Sequence, residues 1–335
     1  MKKIAEYFKY DLWRVMYPLA YHGEEKEGPF FEGWYFKLIS EHGNSRISVI
    51  PGIYIGQDKA DSHSFIQIID GIDGSSNYFS FPASDFHFAP KLMEFSINNN
   101  FFSKEKMVLN INKNGINISG EVNFKDLFYW PVHFFSPGVM GWYAWVPSME
   151  CYHGIISMDH RLEGSLIIND QVKDFSKGRG YMEKDWGKAM PSSWIWMQSN
   201  HFNKKGTSLS ISIAEIPWGN WHFNGFLIGL LFDGKLHRFT TYTGAKIKEL
   251  SVTDKLIRFS VEDNKKKLMI SAHRSAGNAL QAPTTIQMDR RIMETLSARI
   301  DLKFLQKRNG QWTQSYSDTG IYAGLEVVGD LKNST

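Results

Sequence analysis

The 335-residue chain has a single cysteine, Cys151, which excludes an intramolecular disulfide and every cysteine-based metal spacing. Set between Glu150 and Tyr152, that thiol reads as a small packing residue. Charge of one sign is scarce as well. There are 38 Lys and Arg against 35 Asp and Glu, a formal net charge of +3, and the basic residues are scattered. No nucleic-acid partner is expected from such a balance. The tightest basic run, Lys265 to Lys267, follows Asp263-Asn264 and reads as a solvated turn. No stretch approaches the roughly 18 apolar residues of a membrane-spanning helix. The opening residues do not read as a signal peptide, because Glu6, Lys9, Asp11 and Arg14 interrupt any apolar run. A soluble, cytoplasmic protein is therefore expected. There is no glycine-rich phosphate loop after a strand, no G-x-S-x-G elbow and no H-E-x-x-H, so neither cofactor nor metal is expected.

Helical periodicity is also rare. Ile4, Phe8, Leu12 and Val15 recur at helical spacing and predict a short amphipathic helix over residues 1–20. Its apolar face suits docking on the protein's own core. The alternative is peripheral contact with a membrane surface, through Lys2, Lys3, Lys9 and Arg14. Ile286 to Thr295 could form one or two further turns.

What the chain has in quantity is aromatic surface and short strands. Hydrophobic residues make up 42% and aromatics 15%, with 11 Trp and 24 Phe, enough for a substantial core and an aromatic-lined cavity. Alternating or apolar runs such as 47–55, 64–69, 107–111, 116–124, 208–216, 226–232 and 256–261 are punctuated by turn dipeptides. Among these are Asn114-Gly115, Asp233-Gly234 and Asn309-Gly310. The expectation is an all-β protein with too many strands for one small barrel, hence two β units in tandem. Ser176-Lys-Gly-Arg-Gly180 has the composition of a linker between them.

The densest chemistry lies in 181–202. An acid–base cluster, Glu183-Lys184-Asp185, leads through Trp186 into a strand. With period two, that strand puts Trp194, Trp196, Gln198 and Asn200 on one face and Ile195, Met197, Ser199 and His201 on the other. Two indoles and two amides on one face suit a large, mostly apolar ligand with a few polar handles, although residue types alone favour indoles that simply pack a core. Upstream stands Phe30-Phe-Glu-Gly-Trp-Tyr-Phe-Lys37. Together, F-F-E-G-W-Y-F-K and Y-x-E-K-x-W-G-x-x-x-P-x-x-W-x-W-x-Q-x-N-x-F resemble the tocopherol cyclase family. Shorter pieces fall in the family's order: Asp61-Ser-His-Ser-Phe65, Gly141-Trp142 before Pro147, Ala282-Pro-Thr284 and Ala323-Gly-Leu-Glu-Val327. Plant members carry Asn at the position of Asp185 and longer insertions in the first half. The Glu183-Lys-Asp-Trp-Gly187 pattern is also similar, more distantly, to carotenoid hydratases.

The resemblance implies two tandem lipocalin-like (calycin-type) antiparallel β-barrels: a helical segment at 1–20, a first barrel at 21–180 and a second at 181–335. It also implies an isomerase-type cyclase acting without cofactor on a prenylated quinol or similar isoprenoid. That chemistry needs a carboxylic acid to protonate an alkene, π-rich walls beside the developing carbocation, and polar groups to hold the quinol. Glu183 is the first choice for the acid and Asp185 the second, with Lys184 to position a phenolate oxygen. A structural ion pair at Glu183, or a solvated Lys184, is the competing reading. Glu32, Trp34, Tyr35, His63, Trp186, Trp194, Trp196, Gln198 and Asn200 are the candidate substrate contacts. Glu32 sits in an apolar sequence and could instead pair with an arginine such as Arg179. His153 is a weaker candidate. A non-catalytic carrier of a hydrophobic ligand would use the same residues, and a sugar-binding module with exposed Trp platforms is a third reading.

Overall fold

The protein's structure is a computed structural model that describes residues 12–331, apart from residues 148, 220, 285 and 286. Strands dominate, in two antiparallel sheets of 12 and 10 strands. The turn dipeptides explain much of this. Asn114 and Gly115, Asp233 and Gly234, and Asn309 and Gly310 all have positive φ, the two-residue hairpin geometry that matches the strands' own twist. Residues 12–16 are helical, and the rest of the expected N-terminal helix lies outside the described residues. The helical reading of 286–295 gives way to strand Arg290–Arg308, where Ile292, Glu294, Leu296, Ala298 and Ile300 alternate into the interior. Among the described residues no helix is long and apolar enough to cross a membrane.

In the first sheet, neighbouring strands run Ser76–Pro82, His63–Asp70, Arg46–Ile55, Phe30–Ile39, Arg179–Gly187, Cys151–Ile168, Ile116–Lys125, Lys106–Lys113, Asn100–Ser103, Glu94–Ile97 and Phe86–Phe88. Gln171–Asp174 pairs with Cys151–Ile168. In the second they run Lys235–Thr240, Trp221–Phe232, Ser208–Trp218, Trp194–Ser199, Gln311–Val328, Arg290–Arg308, Lys266–His273, Leu256–Glu262 and Lys246–Val252, with Asn278–Ala282 paired to Arg290–Arg308. Among the described residues neither path of hydrogen bonds returns on itself, so each expected barrel is open in its backbone pairing.

The chain forms two compact units. One comprises the described residues of Met1–Ile69, Ser76–Met190 and Gln281–Arg290; the other those of Asp70–Ser75, Pro191–Leu280 and Arg291–Thr335. The border at Met190 and Pro191 differs from the expected 180/181. Strand Arg179–Gly187 hydrogen-bonds on both sides within the first sheet, and Ser176-Lys-Gly-Arg-Gly180 leads into it rather than joining units. Segment Gln281–Arg290 returns to the first unit, where the Gln67 side chain donates to Gln281 O and accepts from Gln281 N, both at 2.8 Å. Each unit has its own apolar core. The first is built around Trp34, Phe36, Phe95, Phe102, Phe124 and Met182; the second around Ile195, Met197, Ile211, Ile213, Ile228 and Leu325.

Candidate active site

Strand Arg179–Gly187 lies between Phe30–Ile39 and Cys151–Ile168, and its alternation sends adjacent charged residues to opposite faces. Met182, Lys184 and Trp186 point to the core face, with Phe36, Trp34 and Glu32 opposite them. Tyr181, Glu183 and Asp185 point the other way, opposite Lys37, Tyr35 and Gly33 on one side and, for Glu183 and Asp185, Ile155 and His153 on the other.

On the core face Lys184 and Glu32, both fully buried, form an ion pair. The Lys184 ammonium also donates to Ala20 O at 2.7 Å and lies 3.2 Å from His22 Nδ1. Backbone His22 N donates to Glu32 Oε2 at 2.7 Å. The His22 ring stacks on Trp186 at 4.3 Å, and the ammonium sits 5.0 Å from the Trp34 ring and 4.8 Å from that of Trp186. Burial first, then the charge of Lys184, pushes His22 down to about 4, so the ring is neutral. A proton on its Nε2, facing Arg14 O at 3.4 Å, leaves Nδ1 to accept from Lys184. Burial works against ionisation of Glu32, but the charge of Lys184 outweighs it and holds the carboxyl below its usual range. Lys184 is therefore neither solvated nor free to hold a phenolate. The partner of Glu32 is Lys184 rather than Arg179, whose Nε donates to Asp159 Oδ1 at 2.9 Å. Nothing in the sequence pattern marks His22, a lone histidine ahead of the first strand.

On the opposite face the carboxyl groups meet a histidine. His153 Nδ1 lies 2.8 Å from Asp185 Oδ1, and its Nε2 lies 3.7 Å from Glu183 Oε2. Tyr181 donates its hydroxyl to Glu183 Oε2 at 2.5 Å. His153 and Glu183 are buried, while the Asp185 side chain is 26% exposed. Burial alone would lower the His153 pKa. The charges of Asp185 and Glu183, with the Asp185 hydrogen bond, more than offset it and raise the imidazole to about 9. Its Nε2 has no hydrogen-bond partner. These three residues have metal-type ligand atoms within 4.8 Å of one another. Asp185 takes Nδ1, however, so only Nε2 and Glu183 converge, and an ion-pair triad describes the geometry better than a metal cage. Around the triad pack Phe31, Tyr54, Phe65, Met288 and Cys151, whose thiol is pushed up by burial.

His63 is held locally, with Nδ1 2.9 Å from Asp61 O and Nε2 2.6 Å from the Tyr78 hydroxyl. Trp194, Trp196, Gln198 and Asn200 belong to the second unit, whereas Trp34, Tyr35 and Trp186 belong to the first. The alternation along Trp194–Ser199 is as expected, with Ile195 and Met197 in the core. Both faces are buried, and on the face of the indoles Trp194 Nε1 donates to Glu326 Oε2 at 2.7 Å. Asn200 Oδ1 lies 3.0 Å from His201 Nδ1.

A family profile described as tocopherol cyclase-like matches residues 118–329. A probable chloroplastic tocopherol cyclase from Oryza sativa subsp. japonica is 26% identical over 200 residues, which span 56% of this chain and 42% of that protein. A chloroplastic tocopherol cyclase from Zea mays is 28% identical over 149 residues, 43% of this chain and 31% of that protein. The match thus spans less than half the length of either relative. Among solved structures, that of CghA with Sch210972 superposes with a TM-score of 0.54 at 12% identity, covering 90% of this chain and 89% of that one. A putative AttH from Nitrosomonas europaea gives a TM-score of 0.50 at 12% identity, covering 94% and 96%. At such identity the likeness is one of fold, the lipocalin-like all-β fold.

Proposed function

The chain belongs to the tocopherol cyclase-like family, and we propose that it is a cofactor-independent cyclase closing an oxygen ring on a prenylated quinol, with Glu183 as the acid. One observation carries the proposal: Tyr181, Glu183, His153 and Asp185 converge on one largely buried sheet face, with an imidazolium between two carboxyl groups. At rest His153 holds the mobile proton. When substrate displaces water, Nε2 passes it to Glu183 Oε2, and the neutral carboxyl delivers it to the less substituted alkene carbon. The π bond supplies the electron pair of the new C–H bond, leaving a tertiary cation. The quinol oxygen then forms the C–O bond, its O–H bond breaks, and that proton returns to the Glu183–His153 pair. Product is an isomer of substrate, so no oxidant or co-reactant is consumed. Asp185 fixes the ring of His153 through Nδ1, and Tyr181 fixes Glu183 through the shared Oε2. A substrate with an isoprenoid tail resides in lipid, so peripheral contact with a membrane surface belongs to the same proposal.

The test is Glu183→Gln, assayed for conversion of a prenylated trimethylhydroquinone to the chromanol. Turnover should fall roughly 100-fold or more while the fold is retained, as expected for loss of a general acid. Unchanged turnover would remove Glu183 from the chemistry. Tight binding of the quinol with no turnover by the unsubstituted protein would instead make it a carrier.

A further inference from the structure

Gly33 stands mid-strand in a row that crosses the first sheet in register: Gly52, Gly33, Asp185, His153. A glycine inside a strand gives up packing and adds backbone entropy to the unfolded chain, so its presence calls for a cause. The usual causes fail here. Gly33 is not among the glycines with positive φ. An added Cβ would meet nothing nearer than Pro51 O at 3.9 Å and Phe65 Cζ at 4.0 Å, which is ordinary van der Waals distance. Gly52 beside it is different, since its Cβ would lie 2.5 Å from Phe65 Cζ and 2.7 Å from Glu32 O. Gly187 is different too, at 2.2 Å from Glu150 O with φ +153. The fold demands glycine at 52 and 187 but would accept alanine at 33. What Gly33 provides is a bare stretch of peptide on the face that carries the triad. Two residues away along the strand on either side are the aromatic rings of Phe31 and Tyr35, and Phe65 closes the side towards Gly52.

The carboxylate beside the notch shows what it would receive. Asp185 lies between Gly33 and His153 in that row; His153 Nδ1 takes its Oδ1 at 2.8 Å, and the side chain stays 26% exposed. A partly exposed carboxylate accepts from a hydroxyl, and a flat ring fits between aromatic edges over a peptide plane. We propose that Gly33 is the floor of a subsite for the phenol ring of the substrate, with a ring hydroxyl donating to Asp185. The nature of the ring rests on the cyclase reading above; the existence of the subsite does not.

The experiment compares Gly33→Ala and Gly33→Val with the unsubstituted protein. Thermal denaturation and calorimetric binding of trimethylhydroquinone, a ring without an isoprenoid tail, are measured for each. The expected result is an Ala variant at least as heat-stable as the original, because the change removes unfolded-state entropy. Its affinity for the probe should fall about tenfold or more, and that of the Val variant further, as for a pocket that gains one or more carbons. A lower melting temperature for the Ala variant would assign the glycine to folding and overturn the proposal. So would unchanged probe binding by the Val variant, or no binding by the unsubstituted protein. The two readings separate cleanly. Loss of turnover in Glu183→Gln with normal binding by Gly33→Val would sink the subsite alone. Gly33-sensitive binding without any turnover would sink the cyclase alone.

Discussion

Replacing Asp185 with Asn tests the triad through its protons, whatever the substrate. In the native protein the His153 imidazole holds its proton up to about pH 9, whereas an unfolded histidine releases it near 6.5. Below pH 6.5 both states are protonated, and the full contribution of the pairing to stability is present. Between the two values the native state binds the extra proton, so stability falls as pH rises, and above pH 9 the contribution is gone. A separation of about 2.5 units corresponds to roughly 3 kcal/mol. Asp185 supplies the larger attractive share, at 2.8 Å against 3.7 Å for Glu183. Asn keeps the shape and an acceptor for Nδ1–H but not the charge. The variant should therefore lose about half or more of the pH-dependent stability, and its His153 should titrate closer to 6.5. Urea denaturation at pH 6 and pH 10, with NMR titration of the His153 ring, measures both. If Asp185→Asn lost as much stability between pH 6 and pH 10 as the original, the imidazolium between two carboxylates would not exist as described.

Two further outcomes follow from buried polar pairs. Lys184→Met leaves the Glu32 carboxylate uncompensated in the core and should destabilise the fold by about 3–5 kcal/mol, while adding Glu32→Gln should restore most of that loss; equal denaturation midpoints for the single and double variants would contradict it. Trp194→Phe removes the hydrogen bond to Glu326 and should cost about 2 kcal/mol in urea denaturation, as for a bond to a charged acceptor; an unchanged midpoint would mean the bond contributes nothing net.

Much of the β architecture was legible from local chemistry, because hairpins are made by neighbours. Asn114-Gly115 and Asn309-Gly310 dictate turns whatever the rest of the chain does, and the alternation of Trp194 to Ser199 survives intact. The site was legible only as residue types. Glu183, Lys184 and Asp185 stand side by side in sequence, and period two separates Lys184 from both acids. Nothing local says which face meets the core. That is settled by Trp34 and Glu32, paired across from Lys184 and Trp186 at a separation of about 150 residues. The meeting of His153 with Asp185 depends likewise on a register set some 30 residues away, past a bulge between Ile155 and Ser157. The parting of the compact units at Met190 and Pro191 has a physical reason as well. Ser176-Lys-Gly-Arg-Gly180 has the composition of a linker, yet Gly180 is where the His160 ring comes so close that a Cβ would lie 2.2 Å from its Nε2.

The place of strand Arg179–Gly187 between Phe30–Ile39 and Cys151–Ile168 also fixes an order of birth. As the chain leaves the ribosome, Phe30–Ile39 can pair with Arg46–Ile55 almost at once, but its other edge waits about 140 residues for its partner. At ordinary synthesis rates that wait lasts on the order of ten seconds, with an apolar strand edge open to wrong partners. Glu32 sits on that edge. Until Lys184 is made, its carboxylate stays hydrated and resists burial, so the strand carries its own guard against early collapse. The arrival of one strand then discharges the guard on one face and gathers Glu183 and Asp185 beside His153 on the other. The buried ion pair and the triad on the opposite face thus form in the same event.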